Sequence, residues 1–171
     1  VIHPDDHARF AELGAVANFQ PLWAYADEYV VDLTLPFISE ETASWMYPIK
    51  SIIDAGGRIA FGSDWSVSSV NPMPQIETAL TRVDAESHAT EVLNPEQRIT
   101  IEQAVEAFTL GTAYVNHQED VTGSIEVGKL ADLVVLDKNI FEIKPERISE
   151  TRVLLTLFEG RPVYGNPGRA L

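Results

Sequence analysis

The chain has 171 residues, no cysteine, 45% hydrophobic residues and a formal net charge of −14, from 26 acidic against 12 basic side chains. That length suits one ordinary domain or parts of two, and the apolar fraction is enough for a core. The missing cysteine excludes disulfides, thiolate metal sites and cysteine nucleophiles, and the acidic balance, with no Lys/Arg cluster to offset it, argues against nucleic acid or an anionic membrane as partner.

Any metal site must therefore use His, Asp, Glu or a modified Lys. No run of about 18 apolar residues is present, so no transmembrane helix is expected. The opening Val1-Ile-His-Pro-Asp-Asp has neither the basic nor the apolar stretch of a signal peptide, and a cytoplasmic location is the expectation.

Val1 and Ile2 read as the end of a strand. Pro4-Asp5-Asp6 then begins a helix, since proline suits the first turn and acids favour a helix N-terminus. Phe10 and Leu13 are its expected core face, and Gly14 its stop. Residues 15–20 read as a strand closing at Gln20-Pro21, and residues 23–40 as irregular and aromatic. Trp45, Ile49, Ile52 and Ile53 space a helix over 45–55, stopped by Gly56-Gly57. A strand over 58–63 follows, then a loop over 66–74 and a helix over 75–83 carrying Ile76, Ala79, Leu80 and Val83. Residues 84–97 are polar. Thr100 caps a helix over 101–116 with apolar Ile101, Ala104, Val105, Phe108 and Leu110.

This alternation with short connections fits a parallel α/β unit. Beyond residue 117 the pattern changes to Gly-punctuated strands without a helix, including a strand over 131–137 and a hairpin over 153–164. The expected division is 1–117 and 118–171.

One stretch carries the chemistry. In Ile59-Ala-Phe-Gly-Ser-Asp-Trp65 an apolar run breaks at Gly62 and delivers Ser63 and Asp64 at its end. In α/β barrels, catalytic groups sit at the C-terminal ends of strands. A carboxylate there can bind a metal or take a proton from a metal-bound water. Gln20, Trp23, Trp65, Ser66 and Asn71 lie at strand ends or just beyond and are candidate substrate contacts, with rim packing as the alternative for the tryptophans. His3 and His7 straddle Pro4 and read as surface residues, His88 as part of a solvated loop, and His117 as the close of a helix. Asp132 and Asp137 flank a strand and read as turn residues, as does Lys129. Gly56-Gly57 precedes a strand, where a dinucleotide fingerprint would follow one, and neither a P-loop nor G-x-S-x-G is present.

Gly123-Ser-Ile-Glu-Val-Gly-Lys-Leu-Ala-Asp-Leu-Val-Val-Leu-Asp137 resembles the tail of metal-dependent amidohydrolases that carry a β-sandwich beside their barrel. Thr100-Ile-Glu-Gln-Ala104 and Thr109-Leu-Gly-Thr-Ala113 precede it as in that family. Ala55-Gly-Gly-Arg-Ile-Ala-Phe-Gly-Ser-Asp-Trp65, with Asn71-Pro72 downstream, is similar to the last barrel strand of the branch that includes N-substituted formamide deformylases.

The resemblance implies an α/β fold: the C-terminal part of a (β/α)8 barrel followed by part of a β-sandwich. It implies a divalent metal, usually zinc, in the complete enzyme, and hydrolysis of a linear amide or formamide-type C–N bond. Deamination and cyclic-amide opening are the nearest rivals. Asp64 takes the position of the aspartate that binds metal and shuttles the proton of the attacking water. The family's histidine ligands and its middle-strand Lys or Glu have no counterpart here, so the isolated chain is expected to be inactive and without bound metal. The alternative reading is a non-catalytic fragment that associates with itself or with a missing N-terminal part of the same protein.

Overall fold

Two short strands, β1 (Val16–Phe19) and β2 (Arg58–Phe61), pair in parallel, in register from Val16 opposite Arg58 to Phe19 opposite Phe61. The computed structural model describes residues 1–87 and 91–170; His88 lies outside the described residues. The ladder continues one bond further, where the Gly62 amide donates to the Phe19 carbonyl at 3.0 Å. Both strands therefore end at the same edge, and whatever follows either one emerges side by side.

The helix bounds differ from those the apolar spacing predicts, each for a local reason. α1 (His7–Leu13) follows a 3-10 turn at Pro4–Asp6 and ends at Gly14, whose φ of 64° accepts the left-handed cap. Phe10 packs on the core, but Leu13 is exposed because the chain turns away at Gly14 immediately after it. Val1 and Ile2 form no strand: the Ile2 amide meets the Trp45 carbonyl at a helix end, which offers no ladder.

The stretch expected to be irregular holds a 3-10 turn at Pro21–Trp23, then α2 (Glu28–Leu33), capped by Asp27 through the Val30 amide at 2.7 Å, then a turn at Leu35–Phe37. Of the helix expected over 45–55 only 49–54 is helical, and a separate short helix lies ahead of it over 40–44. α3 (Glu40–Ser44) is capped by Ser39, and α4 (Ile49–Asp54) starts after Pro48, which has no amide hydrogen to continue a helix.

α5 (Pro72–Thr81) begins inside the predicted loop, because Asn71 caps it and Pro72 suits its first turn. It stops at Arg82, where φ reaches 62°. α6 (Ile101–Glu106) carries a complete capping box between Thr100 and Gln103. It widens into a π-helical turn at Ala107–Gly111 before α7 (Thr112–Val115). The Thr112 hydroxyl donates to the Ala107 and Phe61 carbonyls, both at 3.0 Å, tying this run to the end of β2. A methyl on Gly111 would run into the Ile59 carbonyl, so glycine is what lets the helix lie against β2.

In the tail, β3 (Leu133–Leu136), β4 (Val153–Phe158) and β5 (Arg161–Gly165) form an antiparallel sheet in that order. Glu159 and Gly160, with φ of 48° and 75°, make the two-residue hairpin between β4 and β5. Asp132 and Asp137 serve structure, as expected, and do so by pinning both ends of β4. Asp132 accepts from the Glu159 amide at 2.8 Å, and Asp137 from the Arg152 amide at 2.8 Å and its guanidinium at 2.9 Å. Contrary to expectation the tail does contain a helix, the single turn α8 (Pro167–Ala170).

The main core joins Phe19, Phe61, Ile49, Ile52 and Met73 with Ile140 and Ile148 of the tail. The amide of Ser149 also donates to the buried Glu77 carboxylate on α5 at 2.7 Å. No helix among the described residues is long and apolar enough to cross a membrane.

Candidate functional site

Asp64 sits three residues beyond the end of β2, exposed, with φ of 58°. Aspartate tolerates this left-handed conformation better than most side chains. The turn around it is closed by its own backbone: the Asp64 carbonyl accepts from the amides of Val67 at 2.8 Å and Ser68 at 3.2 Å. The Ser63 hydroxyl accepts from the Trp65 amide at 3.2 Å, and the Ser68 hydroxyl donates to the Ser63 carbonyl. The Trp65–Ser66 peptide is cis. Among the described residues no hydrogen bond or ion pair engages the Asp64 carboxylate, which an exposed tight loop carries.

Trp65 and Ser66 share this loop and are also exposed, Trp65 by 72%. Asn71 uses its side-chain oxygen to accept from the Met73 amide at 3.1 Å, capping α5. Gln20, half-buried, closes β1, and its carbonyl accepts from the Trp23 amide at 3.2 Å. The strand pairing thus brings the Gln20–Trp23 and Asp64–Ser66 segments to one edge, and α5 packs on the Pro21–Trp23 turn between them. The residues do not converge on one cavity. Trp23 lines a cavity of about 440 Å³, Asn71 one of about 790 Å³ beside β4 and β5, and Asp64 neither.

The 440 Å³ cavity was not legible beforehand. Trp23, Tyr25, Asp27 and Tyr29 line it together with Asp84, Ser87 and Glu91 from a loop remote in sequence. Burial pushes the Tyr25 phenol above its ordinary value, and the Asp84 and Asp27 carboxylates add to the shift. The loop is held at its base by Arg82, a fully buried cation. Its guanidinium donates to the carbonyls of Leu93 at 2.8 Å, Tyr47 at 3.2 Å and Met46 at 3.4 Å, while the Leu93 amide returns a bond to the Arg82 carbonyl at 3.2 Å. Burial brings Arg82 down to about 10. No sequence signal announced this clasp: apolar spacing carried the expected helix through Val83, whereas it stops at Arg82.

Asn18 is a further residue the sequence reading passed over. It is exposed between buried Ala17 and Phe19, and its side-chain oxygen lies beside Gly62. Lys129 is more than a turn residue: its ammonium donates to the Glu119 carbonyl at 2.5 Å and the Ser124 hydroxyl at 2.7 Å. His3 is exposed and meets Trp45 edge-on with rings 4.6 Å apart. His7, expected on the surface, is half-buried, and its Nε2 is enclosed with no hydrogen-bond partner. His117 is exposed just past α7.

A metal does not fit these residues. Among the described residues no three His, Asp or Glu side chains group closely enough to hold an ion, whereas zinc takes about four ligands.

The sequence model of the amidohydrolase family matches residues 1–164. The chain belongs to the amidohydrolase family. It is 32% identical over 162 residues to the protein LONG AFTER FAR-RED 3 of Arabidopsis thaliana, covering 94% of this chain and 27% of that protein. It is 31% identical over 123 residues to the N-substituted formamide deformylase of Arthrobacter pascens, covering 72% of this chain and 22% of that protein. The fold matches that of an amidohydrolase from Thermotoga maritima MSB8 with a TM-score of 0.63 at 22% identity, over 95% of this chain and 35% of that one. The chain spans about a quarter of the length of these curated relatives.

Proposed function

We propose that residues 1–117 are the C-terminal segment of a (β/α)8 barrel and 118–171 part of a β-sandwich, in a protein that hydrolyses a linear amide or formamide-type C–N bond. The observation that carries this is the parallel β1–β2 pair with the Asp64 carboxylate presented just past its C-terminal edge, in a chain of the amidohydrolase family. Catalytic groups of barrel enzymes occupy that edge. The formamide deformylase among the relatives favours cleavage of C–N bonds over other reactions of the fold.

In this reading the Asp64 carboxylate takes a proton from the attacking water as the C–O bond forms, then returns it to the nitrogen as the C–N bond breaks. Gln20, Trp23, Trp65, Ser66 and Asn71 are the proposed substrate contacts. A divalent metal, zinc by resemblance, is proposed for the complete protein alone, with Asp64 as the ligand this chain offers and the others supplied from outside it.

Asp64→Asn in the complete protein should cut turnover by roughly 10²–10⁴-fold, the usual worth of a positioned acid–base group. Its circular dichroism should be unchanged, because no hydrogen bond among the described residues depends on the carboxylate. Turnover within a few-fold of the parent protein would end the proposed role.

The outer face of the tail sheet favours a second reading, a self-associating, non-catalytic module. Val134, Phe158 and Tyr164 are 56%, 57% and 62% exposed, and β5 is exposed along its whole length. An uncovered apolar face and an open strand edge invite pairing with another chain. Sedimentation velocity should then find the isolated chain dimeric or larger at micromolar concentration; a monodisperse monomer would rule it out.

A further inference from the structure

The 440 Å³ cavity has walls that hydrolysis of a C–N bond does not by itself explain. Three aromatic side chains, Trp23, Tyr25 and Tyr29, line it with carboxylates from two separate segments, Asp27 on one side of the sequence and Glu91 on the other. No Lys or Arg is among its described lining residues. No ion pair among the described residues engages Asp27 or Glu91, and Asp27 commits one oxygen to the α2 cap.

Two properties select the ligand. The carboxylates are too dispersed for an inorganic ion, since no three acidic or imidazole side chains among the described residues group around a metal position. The aromatic walls favour a bulky, weakly hydrated cation, which is drawn to ring faces as well as to carboxylates. A neutral apolar group would gain from the rings but nothing from the charge, and an anion would be repelled by it. The cavity begins at the same strand edge as the Asp64 loop. Trp23 ends the turn that follows β1, at the strand edge shared with the Asp64 loop.

We propose that this cavity receives a substituted ammonium group, so that the C–N substrate carries a positive charge on the part that docks against Trp23, Tyr25 and Tyr29. The assignment of that group to a substrate rests on the hydrolase reading; the binding itself does not.

The test compares choline with 3,3-dimethyl-1-butanol, its uncharged isostere, as ligands of the 171-residue chain. Binding is followed by NMR of the indole N–H signals, with that of Trp23 identified through Trp23→Phe. Choline should shift the Trp23 signal and bind about tenfold tighter than the alcohol, the size of one well-formed cation–ring contact. Trp23→Ala should weaken choline by a similar factor while Trp23→Phe keeps most of the affinity. If Trp23→Ala fails to fold, Tyr29→Ala replaces it, since that ring is 66% exposed and its removal leaves the core alone. Equal affinity for the two probes, or choline binding untouched by removal of the ring, overturns the proposal. Should choline fail to bind while the complete protein cleaves a neutral C–N substrate, the ammonium site falls and the hydrolase reading stands; choline binding in a complete protein that cleaves no C–N bond gives the reverse.

Discussion

Asp137 shows at a single residue how a carboxylate can be bound into the fold rather than offered to chemistry. Hydrogen bonds from the Arg152 amide and guanidinium hold it below its ordinary value. The folded chain therefore takes up that proton less readily than the unfolded one. Its contribution is complete above about pH 4, the ordinary carboxylate range, and is lost as pH falls through the depressed value. Urea unfolding midpoints measured from pH 6 downward should thus fall less steeply in Asp137→Asn than in the parent chain; parallel curves would mean the pairing adds nothing. Asp64 is the opposite case, an aspartate whose carboxylate no described neighbour engages. The two read alike as letters. What separated them was the apolar run and Gly62 before Asp64, against the Gly- and Lys-rich turn before Asp132 and the strand that Asp137 ends. Arg82 was not legible at all, because nothing local distinguishes a buried arginine satisfied by carbonyls from one in solvent.

Among the elements, the run from α6 to α7 depends on how closely it can approach β2. A methyl at Gly111 meets backbone, which cannot swing aside as a side chain would. Gly111→Ala should cost about 1–3 kcal/mol, the usual penalty for overfilling a packed contact, in urea denaturation followed by circular dichroism. An unchanged midpoint would mean the π-helical turn can shift to make room. The strands at 16–19, 58–61 and 133–136, the Gly14 stop and the Thr100 cap were readable, because each is set by residues within a few positions; so was the hairpin, although its turn falls at Glu159-Gly160, one residue before the expected Gly160-Arg161. The helix lengths were not. Apolar spacing continued smoothly across Pro48 and through 107–111, but Pro48, without an amide hydrogen, delays one helix to Ile49, and the other widens into a π-helical turn beside β2.

At the scale of the whole molecule, two paired strands are a small part of any closed sheet, and the core that holds them borrows Ile140 and Ile148 from the tail. If the barrel reading holds, adding the remainder of the complete protein should suppress any self-association of this chain, because the same exposed faces would be covered from within. The family was legible from two ungapped motifs; the site was legible only at the strand edge, since the cavity is assembled from segments about 60 residues apart that no local pattern connects.

The reciprocal bonds between Arg82 and Leu93 have one more consequence. They close the intervening chain at its base, so its length is nearly a free variable: doubling such a loop costs only about 0.6 kcal/mol. Asp84 and Glu91, one wall of the cavity, are carried on that closed loop, while Trp23, Tyr25 and Tyr29 belong to the segment that follows β1. Charge can thus be redrawn on one side of the cavity without moving the strands beneath it, which makes ligand preference a trait this fold can alter separately from its stability.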